Sequence, residues 1–215
     1  KAGEEYDIVP CIGCNECVVR SHMGLEHSCA VNPLCLREND YKITPAEVKK
    51  SVLVVGGGPG GMEAAVVAAQ RGHKVELWEC KDKLGGMLNE AGAPSFKKDV
   101  MKYRNYMEGK IYRSNVTVKL NMDVTADAIL KGGFDEIILA TGACRAVPHI
   151  PGYDGKNVTE AIPVLDGKVK DMGKNVVVLG GGLVGSELAL DLQYKGHNVT
   201  ILEMLPDILY KPETK

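Results

Sequence analysis

One glycine-rich grammar occurs twice in this chain at a constant offset of 124 positions, and it restricts the fold more than any other feature. In the first copy a β-branched apolar run, residues 51–55, meets Gly56-Gly57-Gly58-Pro59-Gly60-Gly61, then an alanine-rich stretch to Arg71, then Val75-Glu76-Leu77-Trp78-Glu79. The second copy runs from Val176-Val177-Val178-Leu179 through Gly180-Gly181-Gly182-Leu183-Val184-Gly185 and a helical stretch to Lys195, ending in Val199-Thr200-Ile201-Leu202-Glu203. Gly56, Gly58, Gly61, Glu63, Gly72, His73 and Glu79 correspond to Gly180, Gly182, Gly185, Glu187, Gly196, His197 and Glu203. Short apolar runs followed by a glycine turn and an alanine-rich segment read as strand, turn and helix. Two such units predict an α/β fold built on parallel sheets.

A single G-x-G-x-x-G is weak evidence, but here each loop follows a strand, opens a helix and has an acid 23 residues beyond its first glycine. In that fingerprint the first glycine makes the tight turn, the second lets backbone approach a pyrophosphate and the third permits close helix-to-strand packing. The helix amino terminus receives the phosphate charge, and Glu79 and Glu203 are placed to accept ribose hydroxyls. The first loop reads as an FAD site, because Leu84-Gly85-Gly86-Met87 offers further backbone amides downstream. Residues 137–142 read as a buried strand delivering Ala140-Thr141-Gly142 beside the nucleotide, with simple punctuation as the alternative. The second loop reads as an NADH site: Glu203 repels a 2'-phosphate, and Met204, Leu205 and Pro206 follow with no arginine nearby. Glu187 is a candidate for the nicotinamide end, or an ordinary helix-surface acid.

Upstream, Cys11, Cys14, Cys17 and Cys29 form a C-x2-C-x2-C-x11-C array. Three closely spaced thiolates closed by a fourth suit a [4Fe-4S] cluster. Zinc is the alternative, although structural zinc favours two separated ligand pairs, and disulfides or plain buried thiols are a third reading. Cys35, Cys80 and Cys144 fall outside the array; Cys80 and Cys144 read as structural thiols, and Cys35 is the alternative candidate for a substitute ligand. His22 and His27 lie within it, and a ligand role for either needs an idle cysteine.

The bulk numbers exclude several classes. A chain of 215 residues with net charge -2 and no long basic run carries neither a nucleic-acid footprint nor a polybasic membrane contact. No apolar stretch reaches membrane-spanning length, and residues 1–10 are acidic and lack a signal-peptide core. Unpaired thiols favour a reducing cytoplasm, with small molecules and proteins as partners and self-association left open. His73 and His197 are expected as exposed turn residues, and His149 has no assigned role. Residues 97–104 are expected as a solvated helix face with Tyr103 and Tyr106 packed beneath. No catalytic acid, base or nucleophile is identifiable.

Taken in order, several segments resemble one family. They are Pro10-Cys11-Ile12-Gly13-Cys14-Asn15, Ser28-Cys29-Ala30-Val31-Asn32-Pro33, residues 55–64, Leu84-Gly85-Gly86, Ala140-Thr141-Gly142, Ile150-Pro151-Gly152 and residues 180–185. The match is to the carboxy-terminal half of the iron-sulfur flavoenzymes related to 2,4-dienoyl-CoA reductase, enoate reductase and trimethylamine dehydrogenase. These are NADH:flavin oxidoreductases with an old yellow enzyme-like barrel. The resemblance covers nearly the whole chain. It implies an amino-terminal β/α barrel holding FMN and substrate, a cubane between the flavins, and an FAD domain with an inserted NADH domain. Electrons would pass from NADH to FAD, the cluster, FMN and then an activated C=C bond such as an enoate or enoyl-CoA.

Two departures bear on the branch. The Cys14-to-Cys17 spacing is one residue shorter than in dienoyl-CoA reductases and looks like that of the amine dehydrogenases. The second glycine loop, which tends to be degraded in the amine dehydrogenases, is intact here, so the reductase branch is expected. An amine dehydrogenase relative with ADP or FAD in the first site is the alternative. The two-nucleotide disulfide reductases are weakened because no cysteine pair follows Gly86. A zinc-stabilised Rossmann-type binding domain is the reading outside the enzymes.

The expected organisation is a cysteine-rich segment and linker at 1–50, an FAD-binding Rossmann-like domain at 51–150, and an incomplete NADH-binding unit at 173–215. With two strands and one helix, that last unit is expected to expose an apolar sheet face. No barrel is present, so the chain is expected to be part of a longer polypeptide, with the substrate-reducing site elsewhere.

Overall fold

The computed structural model describes residues 5–146, 149–169 and 171–210. Every candidate site residue lies within them, while the ends of the expected cysteine segment and of the second unit do not. The chain divides into two units, one of Lys1–Asn89 with Asp99–Cys144, the other of Glu90–Lys98 with Arg145–Lys215.

The first unit contains α1 (Glu16–His22), β1 (Ser51–Val55), α2 (Pro59–Gln70), β2 (Lys74–Trp78), most of α4 (Lys98–Tyr112), β3 (Val116–Lys119), α5 (Ala126–Lys131) and β4 (Glu136–Leu139); the short α3 (Leu88–Ala91) begins within it. The strand order is β3-β2-β1-β4, all parallel, with Val55 beside both Trp78 and Leu139. β1 is rich in β-branched residues and buried on both faces, as a parallel strand covered by helices requires, and β2 is buried at Val75, Leu77 and Trp78. Val52, Val54, Val75 and Leu77 face Met62, Ala65 and Val66 of α2 and Tyr103, Met107 and Ile111 of α4. On the opposite face Leu53, Val55 and Trp78 meet Ile129 and Phe134. The edge strand β4 is uncovered, with Leu139 69% exposed.

Helix α2 begins with proline at its first turn after Gly58, carries four alanines and stops before Gly72, whose φ of +89° suits only glycine readily. The strand order reverses between β1 and β4, and open α/β sheets receive ligands at the carboxyl ends of strands flanking such a reversal. Gly56 and Ala140 are the residues that follow those two strands.

The second unit contains α6 (Ala161–Leu165), β5 (Asn175–Leu179), α7 (Leu183–Tyr194) and β6 (Asn198–Leu202), with β5 and β6 parallel. Val178, Leu188, Ala189 and Leu192 form its core with Val164. The other sheet face is bare, as the element count implied: Val177, Leu179 and Leu202 are each more than half exposed.

Residues 90–98 belong to this unit and lie along one stripe of α7. The Ser95 N–H points at Asp191 Oδ1 (3.4 Å), Phe96 meets Tyr194 edge-on at 6.1 Å, and Lys97 Nζ contacts both Glu187 oxygens at 2.7 Å. Positions 187, 191 and 194 share one helix face.

Candidate nucleotide and metal sites

The first loop is built so that its backbone closes on itself. Gly56 turns with φ +110°, and a Cβ there would strike the Ala140 carbonyl. A Cβ on Gly61 would strike the Gly56 carbonyl oxygen, so α2 packs against the turn only because residue 61 has no side chain. Glu79 stands beneath, 6% exposed. Its Oε2 accepts the Gly57 N–H at 2.6 Å, while Oε1 accepts the Lys81 N–H at 2.8 Å and lies 3.2 Å from Cys80 Sγ. An ionised carboxylate offers about four acceptor positions, so Glu79 holds the loop and keeps capacity for a ribose hydroxyl. The bond to Glu79 also pushes the Cys80 thiol pKa up, with burial adding to it.

A second wall faces this loop. Gly85 donates its N–H to the Gly57 carbonyl at 2.9 Å, and a Cβ on Gly86 would stand 2.9 Å from the Gly58 Cα. The amino end of α2, which has no side-chain cap, opens between the two. A pair of bare glycine backbones at an uncapped helix start fits a pyrophosphate. Met87, half exposed, follows this wall. Ala140 packs against Gly56 and Gly61 and donates its N–H to the Val55 carbonyl at 2.8 Å, which brings Ala140, Thr141 and Gly142 to the same end of the sheet.

The second loop repeats the turn and the hydrogen bonds of the first. Gly180 turns with φ +103°, and a Cβ on Gly185 would strike the Gly180 carbonyl oxygen. Glu203 Oε2 accepts the Gly181 N–H at 2.5 Å and Oε1 accepts the Leu205 N–H at 2.9 Å. Those N–H groups, from Leu205 first and then Gly181, hold the Glu203 carboxyl below the usual carboxylate range. Even the bond from residue 85 to Gly57 recurs, as Leu209 N–H to the Gly181 carbonyl at 2.8 Å. The difference is the wall. Leu209 and Tyr210 replace Gly85 and Gly86, and among the described residues a Cβ on Gly182 would meet nothing within 4 Å. Glu187 sits in the first turns of α7, held by Lys97.

The cysteine array is anchored at its two ends. Cys29 packs against the first unit's main core together with Val9, Ile12 and Val31. Cys17 lies on α1, and Cys11, Cys14 and Cys17 are exposed. Among the described residues no group of three or more His, Cys, Asp or Glu side chains converges on a metal-binding arrangement. The donor set itself fits an iron-sulfur group: four unpaired thiols, with the Gly13 N–H directed at Cys11 Sγ at 3.4 Å.

Comparison with known proteins gives this geometry a family. The family described as pyridine nucleotide-disulphide oxidoreductase matches residues 50–215, and also residues 32–102. The chain belongs to that family. It is 45% identical over 214 residues to the NADH oxidase of Thermoanaerobacter brockii, covering 97% of this chain and 33% of that protein. It is likewise 45% identical over 208 residues to the cinnamate reductase of Clostridium sporogenes, covering 96% and 31%. The solved structure of 2-naphthoyl-CoA reductase with 2-naphthoyl-CoA superposes with a TM-score of 0.90 at 37% identity, covering 95% of this chain and 31% of that one. The chain thus spans about a third of the length of the relatives it matches. That partial coverage agrees with the portion of a larger enzyme expected from its motifs. No helix among the described residues is long and apolar enough to cross a membrane.

Several residues of this oxidoreductase module depart from their expected roles. Arg104 is not part of a solvated face: its Nη2 donates to the Leu84 carbonyl at 2.9 Å and its Nε to Asn89 Oδ1 at 3.1 Å. Asn89 in turn donates to the Leu84 and Gly86 carbonyls at 3.1 and 3.0 Å, so the two side chains brace the Gly85–Gly86 wall. An arginine one turn before Glu108, with which it pairs, carries no signal of this in sequence. Tyr103 and Tyr106 do stack beneath α4, with ring centroids 6.3 Å apart. His73 and His197 are half-buried, not exposed. His73 Nδ1 accepts the Lys50 N–H at 3.1 Å and His197 Nδ1 meets the Gly173 carbonyl at 3.0 Å, so each fastens the residue leading into its unit's first strand.

Proposed function

We propose that this chain is the electron-input module of an NADH-dependent reductase, with FAD on the first loop, NADH on the second and a [4Fe-4S] cluster on Cys11, Cys14, Cys17 and Cys29. It would deliver electrons to an FMN-bearing barrel elsewhere in the polypeptide, which reduces an activated C=C bond such as that of an enoate or enoyl-CoA. The observation that carries the assignment is the contrast between two otherwise identical loops. The first is walled by Gly85 and Gly86, braced by Arg104 and Asn89, and suits a nucleotide that stays. On the second, Leu209 and Tyr210 stand where the first has Gly85 and Gly86, and among the described residues nothing lies within 4 Å of a Cβ on Gly182, which supports a nucleotide held less closely.

Bound FAD would supply the exchange between hydride and single-electron transfer. The residues' work is to bind and orient. Gly56, Gly58 and Gly61 bring α2 up to the pyrophosphate, Glu79 holds Gly57 and takes the ribose, and Gly85, Gly86 and Met87 cover it. Ala140, Thr141 and Gly142 lie at the same sheet end. On the second loop Gly180, Gly182, Gly185 and Glu203 repeat those roles, with ionised Glu203 turning away a 2'-phosphate. Glu187, fixed by Lys97, is the candidate for the nicotinamide end. Unpaired thiols suit a reducing cytoplasm.

The complete polypeptide, purified without air, tests this directly. A flavin spectrum, iron and sulfide in equal amounts, release of a nucleotide with the mass of FAD, and bleaching by NADH in preference to NADPH are expected. Release of ADP would place the protein with the amine dehydrogenases. Colourless protein containing zinc would overturn the reading.

A further inference from the structure

The cysteine segment enters the first unit through a clamp on Arg113. The Arg113 guanidinium donates from Nη2 to the Tyr6 carbonyl at 3.3 Å, its central carbon stands 4.6 Å from the centre of the Tyr6 ring, and Nη2 lies 4.0 Å from Asp7 Oδ1. One side chain therefore takes the backbone, the ring and the charge of two consecutive residues, which fixes the path of the chain. Just beyond, Val9 and Ile12 pack on the main core. Cys11 is bracketed between that polar clamp and an apolar anchor.

Helix α4 carries a glycine in its interior, Gly109, where alanine makes a better helix. Its φ is not in the left-handed region, so the backbone does not demand glycine. What a side chain there would meet is Arg113: a Cβ on Gly109 would stand 2.9 Å from Arg113 Nη1 and push the guanidinium aside by a few tenths of an ångström. The bare position lets the guanidinium lie back across the last turn of the helix toward Tyr6.

We propose that Gly109, Arg113 and Tyr6 form a positioning clamp that sets Cys11 against the first unit before any metal arrives, so that less chain must be ordered when the four-cysteine site closes. Its purpose rests on the iron-sulfur reading of the array; its geometry does not.

The test is hydrogen exchange on the full, metal-free chain, comparing the parent with Arg113→Ala and Gly109→Ala. The amides of Ile8, which donates to the Glu5 carbonyl at 3.2 Å, and Gly13, directed at Cys11 Sγ at 3.4 Å, exchange about five- to tenfold faster in Arg113→Ala, the size of an exposed cation–π contact plus a surface ion pair, and less so in Gly109→Ala, where only the end of the Arg113 side chain is displaced. In Gly109→Ala the amides of α4 slow at the same time, because the helix itself improves. Opposite changes in the two segments cannot come from a general loss of stability, and unchanged Trp78 emission reports that the core is intact. Equal exchange at Ile8 and Gly13 in the parent and Arg113→Ala overturns the clamp. In a second arm the chains are loaded anaerobically with ferrous iron and sulfide, and iron loss to a chelator is faster in both variants. If the parent takes up no iron, the iron-sulfur reading fails, while the exchange result still decides the clamp.

Discussion

Asp135 and Ser51 hold one another through both backbone and side chain. Asp135 Oδ2 accepts the Ser51 N–H at 2.7 Å and the Ser51 hydroxyl at 2.8 Å, and the Asp135 N–H donates to the Ser51 carbonyl at 3.0 Å. Beside them Lys50 Nζ meets Glu136 Oε1 at 2.5 Å. The pair joins the first residue of β1 to the residue before β4, and so sets the register that puts Gly56 against Ala140.

The Ser51 N–H, then the Ser51 hydroxyl, hold the Asp135 carboxyl below its usual pKa. A depressed carboxylate stabilises the fold above its unfolded pKa, and that contribution is lost as pH falls through the folded value. Asp135→Asn should therefore melt earlier than the parent at neutral pH, with the difference closing in acid. Emission from Trp78, the chain's single tryptophan, followed against temperature at several pH values, checks this. A difference that is independent of pH would show that the carboxylate charge is irrelevant.

The glycines of the two loops separate into those the fold needs and those only a ligand needs. Gly61→Ala and Gly185→Ala each drive a methyl group into a backbone carbonyl and should destabilise their own unit by about 1–3 kcal/mol or more. Among the described residues Gly58→Ala meets only the Gly86 Cα at 3.9 Å, and Gly182→Ala meets nothing within 4 Å. These two should melt like the parent while losing nucleotide affinity. Thermal unfolding beside equilibrium dialysis with FAD and NADH distinguishes the pairs, and normal binding by Gly58→Ala would remove the pyrophosphate from the first loop.

That division also explains what the sequence made legible. A positive φ at Gly56 and Gly180, and contact without room for a Cβ at Gly61 and Gly185, are local demands that only one residue type meets, so they leave a visible trace. Arg104 leaves none. Its bond to the Leu84 carbonyl spans 20 residues, and a lysine- and arginine-rich helix looks solvated whichever way one arginine turns. Lys97 and Glu187, 90 residues apart, likewise look like two ordinary surface charges. His73 and His197 read as exposed in sequence because the N–H or carbonyl that each ring meets lies more than 20 residues away.

Glu79 supports the first loop from below, and removing it should act on fold and ligand together. Glu79→Ala leaves the Gly57 N–H without its acceptor in a buried site, at a cost of about 1–3 kcal/mol. Arg104→Ala leaves that bond alone and loosens only the Gly85–Gly86 wall. Both should release FAD faster, but only Glu79→Ala should lower the melting temperature of the FAD-free chain strongly. The rate of flavin fluorescence recovery on dilution reads the first effect and calorimetry reads the second.

Glu203 should decide which nicotinamide coenzyme is accepted. Its two backbone N–H bonds, from Leu205 and Gly181, leave the carboxylate ionised below the ordinary range of a glutamate, and Met204, 95% exposed, offers no positive charge beside it. Discrimination against a 2'-phosphate is then repulsive, a fixed negative charge that NADH does not meet. Glu203→Gln should keep a side chain that can accept one of the two backbone bonds and narrow the preference for NADH over NADPH by on the order of tenfold, mainly through tighter NADPH binding. Because the native carboxyl pKa is depressed, Glu203 stays ionised as pH is lowered toward 5, and the parent's preference should persist in part while the 2'-phosphate itself, with a second pKa of ~6, gives up one of its two charges. Titration of coenzyme fluorescence at pH 5 and pH 8 measures both. A preference that vanished at pH 5 in the parent would mean that a different, more weakly acidic group sets the choice.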